Sequence, residues 1–110
     1  MKEIQTNKLV RDNIPKIIKS QGGNAKTREL SKEEFISALK EKLIEEANEV
    51  KNAKTLEEEK EELADVLEIV INLIKANEID TNELEMIRTK KNDKNGSFNK
   101  RIFMESYTKK

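Results

Sequence analysis

The sequence lacks cysteine and histidine altogether, and this excludes several kinds of chemistry. Without cysteine the chain has no disulfide, no thiolate ligand and no thiol nucleophile. Without histidine it has no imidazole base. Any metal ion that the protein binds must therefore be held by oxygen atoms, which favours hard cations such as Mg²⁺, with Mn²⁺ as an alternative.

Long apolar runs and an excess of one charge are also missing. No apolar run is long enough to span a bilayer and no signal peptide is visible, so we expect a cytoplasmic protein that needs no membrane. The 22 basic and 22 acidic residues give a net charge of zero. Proteins that bind nucleic acid usually carry a basic excess, so we expect no nucleic-acid partner.

Charged residues are plentiful instead, at 40% of the chain against 35% hydrophobic residues. The 110 residues have the size of one domain, and we expect residues 1–110 to form a single one. Glutamate is concentrated in residues 29–68, and lysine and arginine in residues 88–110. This polarity suits a phosphate ligand bridged by metal, although plain solvation of helix faces is the simpler explanation of charge alone.

Local signals predict two flanking helices around a longer central pair. Pro15 suits a first helical turn, so a short helix should begin at Asn13 or Ile14 and end near Ser20, before an extended connection over residues 24–30. A capping sequence at Asp80 predicts a helix that ends near Lys91, with a break over residues 92–97. Residues 98–107 are predicted as a short final helix, with a strand-like tail as the alternative.

The two central helices should begin at capping boxes, Ser31 with Glu34 and Thr55 with Glu58, and end near Asn52 and Ala76. Each carries apolar residues at helical spacing, and so few residues separate the two that they should pack antiparallel. The predicted apolar positions are Phe35, Ile36, Leu39, Leu43, Ala47 and Val50 on the first helix, and Leu56, Leu63, Val66, Leu67, Val70, Leu73 and Ile74 on the second. We therefore predict an all-α fold, built on an antiparallel helical hairpin.

Two acidic motifs lie on this hairpin, E-x-x-E at Glu46 and Glu49 and E-x-x-D at Glu62 and Asp65. Residues three apart share a helix face, and the antiparallel arrangement brings the four acids to one level. Glu46 and Glu62 fall within the apolar stripes of their helices. Burying unpaired carboxylates costs several kcal/mol each, so a cluster of them there favours a bound divalent cation or shared protons. In a chain so rich in Glu, chance spacing is the competing explanation.

At these residues the sequence resembles a known family. Residues 43–50, Leu-Ile-Glu-Glu-Ala-Asn-Glu-Val, followed by residues 61–67, Glu-Glu-Leu-Ala-Asp-Val-Leu, are similar to the metal-binding signature of the MazG-like all-α nucleoside triphosphate pyrophosphohydrolases. That superfamily includes phosphoribosyl-ATP pyrophosphohydrolase. The opening residues 7–15, Asn-Lys-Leu-Val-Arg-Asp-Asn-Ile-Pro, resemble a small single-domain branch described as house-cleaning pyrophosphatases.

The resemblance implies a set of site residues and an activity. Glu46, Glu49, Glu62 and Asp65 would be Mg²⁺ ligands, and Glu45 a supporting group or the base for the attacking water. The implied substrate contacts are Lys8, Arg11, Lys91, Lys94 and Arg101. For Lys8 and Arg11, which are the better candidates, the alternative is a salt bridge to Asp12 or to the Glu-rich helices, and for the other three it is a solvated surface position. The implied reaction converts a nucleoside triphosphate and water to a monophosphate and pyrophosphate, and the house-cleaning branch implies non-canonical nucleotides as substrates. Relatives form homodimers or homotetramers, which would complete a four-helix-type bundle.

The chain departs from the family pattern near its C-terminus. Family members often carry a Gly-Gly-Phe turn where this chain has Asn95-Gly96-Ser97-Phe98. The preferred base cannot be read, because the four aromatic residues, Phe35, Phe98, Phe103 and Tyr107, also suit a core. The alternatives are phosphoribosyl-ATP pyrophosphohydrolase activity and a non-catalytic helical module for oligomerisation or regulation.

Overall fold

A computed structural model describes residues 2–110, and within this range every regular element is a helix. The helices are α1 (Ile14–Ser20), α2 (Lys32–Asn52), α3 (Leu56–Ala76) and α4 (Thr81–Asn95). The all-α prediction is confirmed, as are the bounds predicted for the first three helices. The chain divides into two compact units, Met1–Glu78 with α1 to α3 and Ile79–Lys110 with α4, so the single domain stays a prediction.

The capping residues define where the two long helices begin. The Ser31 hydroxyl accepts a hydrogen bond from the Glu34 amide at 3.2 Å, and the Glu34 carboxylate accepts one from the Ser31 amide at 3.1 Å. Both bonds of the predicted capping box are therefore present at α2. At α3 the Thr55 hydroxyl accepts from the Glu58 amide at 3.1 Å, but the Glu58 carboxylate takes the Lys54 amide at 2.9 Å instead of that of Thr55.

Helices α2 and α3 pack against each other and form the hairpin that was predicted. Each has 21 residues, and only residues 53–55 connect them. Two long helices that contact each other across so short a connection run antiparallel. The end of α2 and the beginning of α3 therefore lie at the same end of the hairpin, where the acidic motifs are.

The second unit departs from the sequence predictions in two places. Helix α4 continues to Asn95, four residues beyond the predicted end at Lys91, so residues 92–95 are helical and not a break. It stops where Gly96 adopts a φ of 81°, a left-handed conformation that glycine takes without a steric penalty. The predicted final helix is wrong, because residues 98–110 form one turn near Phe98 and no regular element.

The described chain has a very small core, in which only Leu39 of α2 and Ile69 of α3 are buried. Several apolar side chains of α3 that were predicted to form its inward stripe are exposed, at fractions from 36% to 65%: Leu56, Leu63, Leu67 and Val70. No helix among residues 2–110 has the length and apolar character needed to cross a bilayer.

We expect Leu39→Ala to lower the free energy of unfolding by about 2–5 kcal/mol, because it removes the most buried side chain between α2 and α3. Urea denaturation followed by circular dichroism measures the change. Glu41→Ala, at an exposed position of the same helix, is the control and should stay within about 0.5 kcal/mol of wild type. Equal stability of the two variants would mean that the hairpin contact at Leu39 contributes little.

Candidate metal centre

Three carboxylates from the two acidic motifs meet between α2 and α3. One oxygen each from Glu46, Glu62 and Asp65 lies within 4.8 Å of the other two. All three residues are half-buried, and the Glu46 side chain is only 13% exposed. Helix α2 supplies Glu46, and α3 supplies the other two from neighbouring turns. We call these three residues the acid group.

The three carboxylates of the acid group repel one another, and protonation of one of them reduces this repulsion. The pKa of Glu62 is raised from 4.5 to about 7, first because its carboxyl shares a hydrogen bond with Glu46, and next because it is partly desolvated. The negative charges of Glu46, Asp65 and Glu49 raise this pKa further. The raised pKa means that these carboxylates hold a proton more tightly than usual, and the same negative charges would stabilise a cation.

Basic side chains balance the remaining charge. Arg11 donates to Asp65 with an Nη2–Oδ1 distance of 2.6 Å, and Lys8 donates to Glu45 with an Nζ–Oε1 distance of 3.0 Å. Lys42 of α2 lies one turn before Glu46, with 3.9 Å between its Nζ atom and a carboxylate oxygen of Glu46. Lys42 was not predicted as a site residue, although its spacing of four residues from the inward-facing Glu46 indicates such a pair.

The other two predicted acids lie beside the acid group. Glu49 is exposed and contributes no oxygen to the set within 4.8 Å, although its charge affects Glu62. Glu45 is half-buried, and its pKa is lowered by the hydrogen bond and the charge of Lys8 and then by the charge of Lys42. A lowered pKa weakens a carboxylate as a proton acceptor near neutral pH. Glu45 is thus a poor base while Lys8 is paired with it.

The remaining predicted substrate contacts, Lys91, Lys94 and Arg101, belong to the second unit and are exposed. Lys91 and Lys94 lie on the last turns of α4, and Arg101 follows the turn at Phe98, whose carbonyl accepts from the Arg101 amide at 3.2 Å. Three of the four aromatic side chains, Phe98, Phe103 and Tyr107, are also in this unit and are between 74% and 93% exposed. These three side chains therefore do not form part of a core in the described residues.

The donor set of the acid group fits a small hard cation. Carboxylate oxygens are ligands that Mg²⁺ prefers, and ligands about 2.1 Å from one ion lie up to about 4.2 Å apart. A separation of at most 4.8 Å needs only a small inward movement of side chains to meet that geometry. Acid groups of this kind also occur without metal, with charge balanced by bases and protons as Arg11, Lys42 and the Glu62 proton do here.

Comparison with known proteins adds no assignment: no protein-family model, no curated protein and no solved structure matches this chain.

Proposed function

We propose that the chain is a Mg²⁺-dependent nucleoside triphosphate pyrophosphohydrolase of the MazG-like all-α class. The observation that carries the proposal is the meeting of Glu46, Glu62 and Asp65 from two predicted motifs in one half-buried group. Three carboxylates within 4.8 Å of one another repel each other unless bases, protons or a cation balance their charge. Binding of Mg²⁺, with Mn²⁺ as a substitute, turns this repulsion into coordination.

The chain's residues have separate tasks in the proposed reaction. Glu46, Glu62 and Asp65 would hold the cation, with Glu49 at their margin. Basic side chains would bind the phosphates, among them Arg11, which contacts Asp65, and Lys8, which contacts the neighbouring Glu45. Bound Mg²⁺ supplies charge neutralisation for the phosphates and activates water. In the overall reaction a water oxygen bonds to the α-phosphorus, the bond to the bridging oxygen breaks, and pyrophosphate leaves. Glu45 can accept the water proton only after Lys8 moves away from it.

A direct assay tests the proposal. The purified protein is incubated with Mg²⁺ and a panel of nucleoside triphosphates that includes the common, deaminated and oxidised bases, together with phosphoribosyl-ATP. Release of pyrophosphate in equal amount to the monophosphate supports the proposal, and the rates across the panel identify the substrate. Release of orthophosphate instead would make the protein a phosphatase. A complete absence of hydrolysis would favour the alternative hypothesis that the protein is a non-catalytic helical module.

The exposed apolar side of α3 supports a further part of the proposal, that the protein is a homodimer or homotetramer. Leu56, Leu63, Leu67, Val70 and Ile71 lie along one side of this helix and are at least 36% exposed. We call these five residues the apolar face of α3. A second copy packed on it would complete a four-helix-type bundle. The same face would also suit the alternative of a non-catalytic oligomerisation module.

We expect the double variant Leu67→Glu and Val70→Glu to dissociate the oligomer into monomers, because it places two charges in the apolar face of α3. Multi-angle light scattering on a size-exclusion column gives the mass of each species. Lys75→Gln is the control, since it also makes the charge more negative but lies at an exposed position outside that face. A wild-type protein that runs as a 12.8 kDa monomer would refute this part of the proposal.

A further inference from the structure

We infer that Arg11 is the resident cation of the acid group, and that a divalent cation must displace it from Asp65 before the opening segment can bind substrate. The opening segment is residues 7–13. This inference rests on the metal centre proposed above. It adds an order of events, in which the metal ion binds first, Arg11 is released next, and the triphosphate is bound last.

The opening segment makes two ion pairs with the hairpin, and binding of a metal ion would break one of them. Arg11 reaches α3 at Asp65, and Lys8 reaches α2 at Glu45, so the segment is tied to both helices of the hairpin. Asp65 belongs to the acid group and Glu45 does not. Of these two contacts, only that of Arg11 competes directly with a cation. The Lys8 contact provides a comparison within the same segment.

Arg11 and a divalent cation compete for Asp65 for both electrostatic and geometric reasons. The guanidinium is a charged group that already pairs with Asp65, so a cation at Asp65 must compete with it. Its 2.6 Å bond occupies one of the two carboxylate oxygens of Asp65, and Mg²⁺ accepts only ligands that lie close to octahedral positions. A cation seated among the three acids would also repel the guanidinium at close range.

The released guanidinium could bind a phosphate group of the substrate. Arginine binds phosphate through two parallel hydrogen bonds, and a triphosphate bridged to the metal would present its oxygens next to Asp65. The Arg11 and Asp65 side chains are 58% and 38% exposed, so this pair opens into solvent without disturbing the helices. One residue thus stabilises the acid group before metal enters and binds the substrate afterwards.

The test compares Mn²⁺ affinity, measured by the electron paramagnetic resonance signal of free Mn²⁺, in wild type, Arg11→Gln, Arg11→Lys and Arg28→Gln. We expect Arg11→Gln to bind Mn²⁺ about three- to tenfold more tightly than wild type, because the competing charge is gone. Arg11→Lys keeps the charge and should lie closer to wild type. Arg28→Gln is the matched control, since it removes an exposed arginine that pairs with Glu34, outside the acid group, and should match wild type.

A second measurement follows the arginine side chains of the wild-type protein. The chain has four arginines, so their Nε–H signals are few enough to resolve by nuclear magnetic resonance, and the Arg11 variants assign one of them. Addition of Mg²⁺ without nucleotide should shift the Arg11 signal towards the position of a free guanidinium and leave the Arg28 signal in place.

The outcomes separate the inference from the proposal that it rests on. Tighter Mn²⁺ binding by Arg11→Gln, with a Mg²⁺-dependent shift of the Arg11 signal, supports the inference. Equal Mn²⁺ affinity in wild type and Arg11→Gln, or an Arg11 signal unmoved at saturating Mg²⁺, overturns it while the metal centre stands. Failure of all four proteins to bind Mn²⁺ would remove the metal centre and the inference together.

Discussion

Glu62→Gln is expected to abolish pyrophosphate release, with a loss on the order of 10³-fold or more, since the charge stabilisation that a metal provides is worth several kcal/mol. The substitution keeps the size of the side chain and its ability to hydrogen-bond to Glu46, but removes the charge that would hold a cation. Glu46→Gln should have the same effect, because Glu46 is the α2 member of the acid group. Initial rates at saturating Mg²⁺ and nucleotide measure both losses.

Glu61→Gln is the matched control for this result. Glu61 precedes Glu62 on α3 and is exposed, so its loss of charge should leave turnover within about twofold of wild type. Far-ultraviolet circular dichroism should show the same helicity in all these proteins, since none of the changes breaks a helix. Full activity in Glu62→Gln or Glu46→Gln would remove the acid group from the mechanism.

The metal-free protein is expected to lose stability as the pH rises from about 4.5 to about 7, by an amount that Glu62→Gln removes. The pKa of Glu62 is raised from 4.5 to about 7 in the folded chain, so the folded state holds a proton that the unfolded state has lost in this range. A state that binds more protons becomes less favourable as protons are withdrawn. The stabilising contribution is therefore complete below pH 4.5 and lost as the pH rises through about 7.

Thermal denaturation of wild type and Glu62→Gln at several pH values measures this contribution as the difference between the two melting temperatures. The difference is needed because Glu34, Glu45 and Glu85 have lowered pKa values and change stability in the opposite direction. At pH 8, Mg²⁺ at a hundred times its dissociation constant should add about 2.7 kcal/mol to wild-type stability. Parallel pH profiles without metal would show that Glu62 titrates normally.

The long helices were predictable because several local signals agreed on each. Ser31 and Thr55 are good caps that precede residues with clear helical periodicity, and Pro15 fixed the beginning of α1. The end of α4 was not predictable in the same way. Asn92, Asp93 and Asn95 have modest helix propensity, which suggested a break, but the helix continues until Gly96 adopts its left-handed conformation.

The inward side of α3 was predicted only in part. Helix α3 is apolar around much of its circumference, so periodicity alone gives no unique direction for the core. In the structure Ile69 and the acids face α2, whereas Leu63 and Leu67, which were predicted to be inside, are exposed. The position of Glu46 and Glu62 in the apolar stripes was the better guide, because it correctly brought two carboxylates and Asp65 together.

The charge balance of the acid group was the least visible feature in the sequence. Arg11 is 54 residues from Asp65, and no periodic pattern connects the opening segment to α3. The motif at residues 7–15 suggested that Lys8 and Arg11 matter, and a salt bridge to the Glu-rich helices was the alternative role for both. The structure shows such salt bridges, to Glu45 and Asp65, but the sequence did not indicate which acids would be the partners. Such a pairing depends on the path of the chain through the connection before α2, which carries no regular structure.

The three-residue connection between α2 and α3 limits how the spacing between the two acidic motifs can change among homologues. Each helical residue advances 1.5 Å and turns the side chain by about 100°. A single insertion between the two acidic motifs would therefore separate the carboxylates in height and rotate one of them away. Lengthening both helices by one turn adds about seven residues and restores both height and direction. Distant homologues should accordingly differ in the distance between their two motifs by steps of about seven residues.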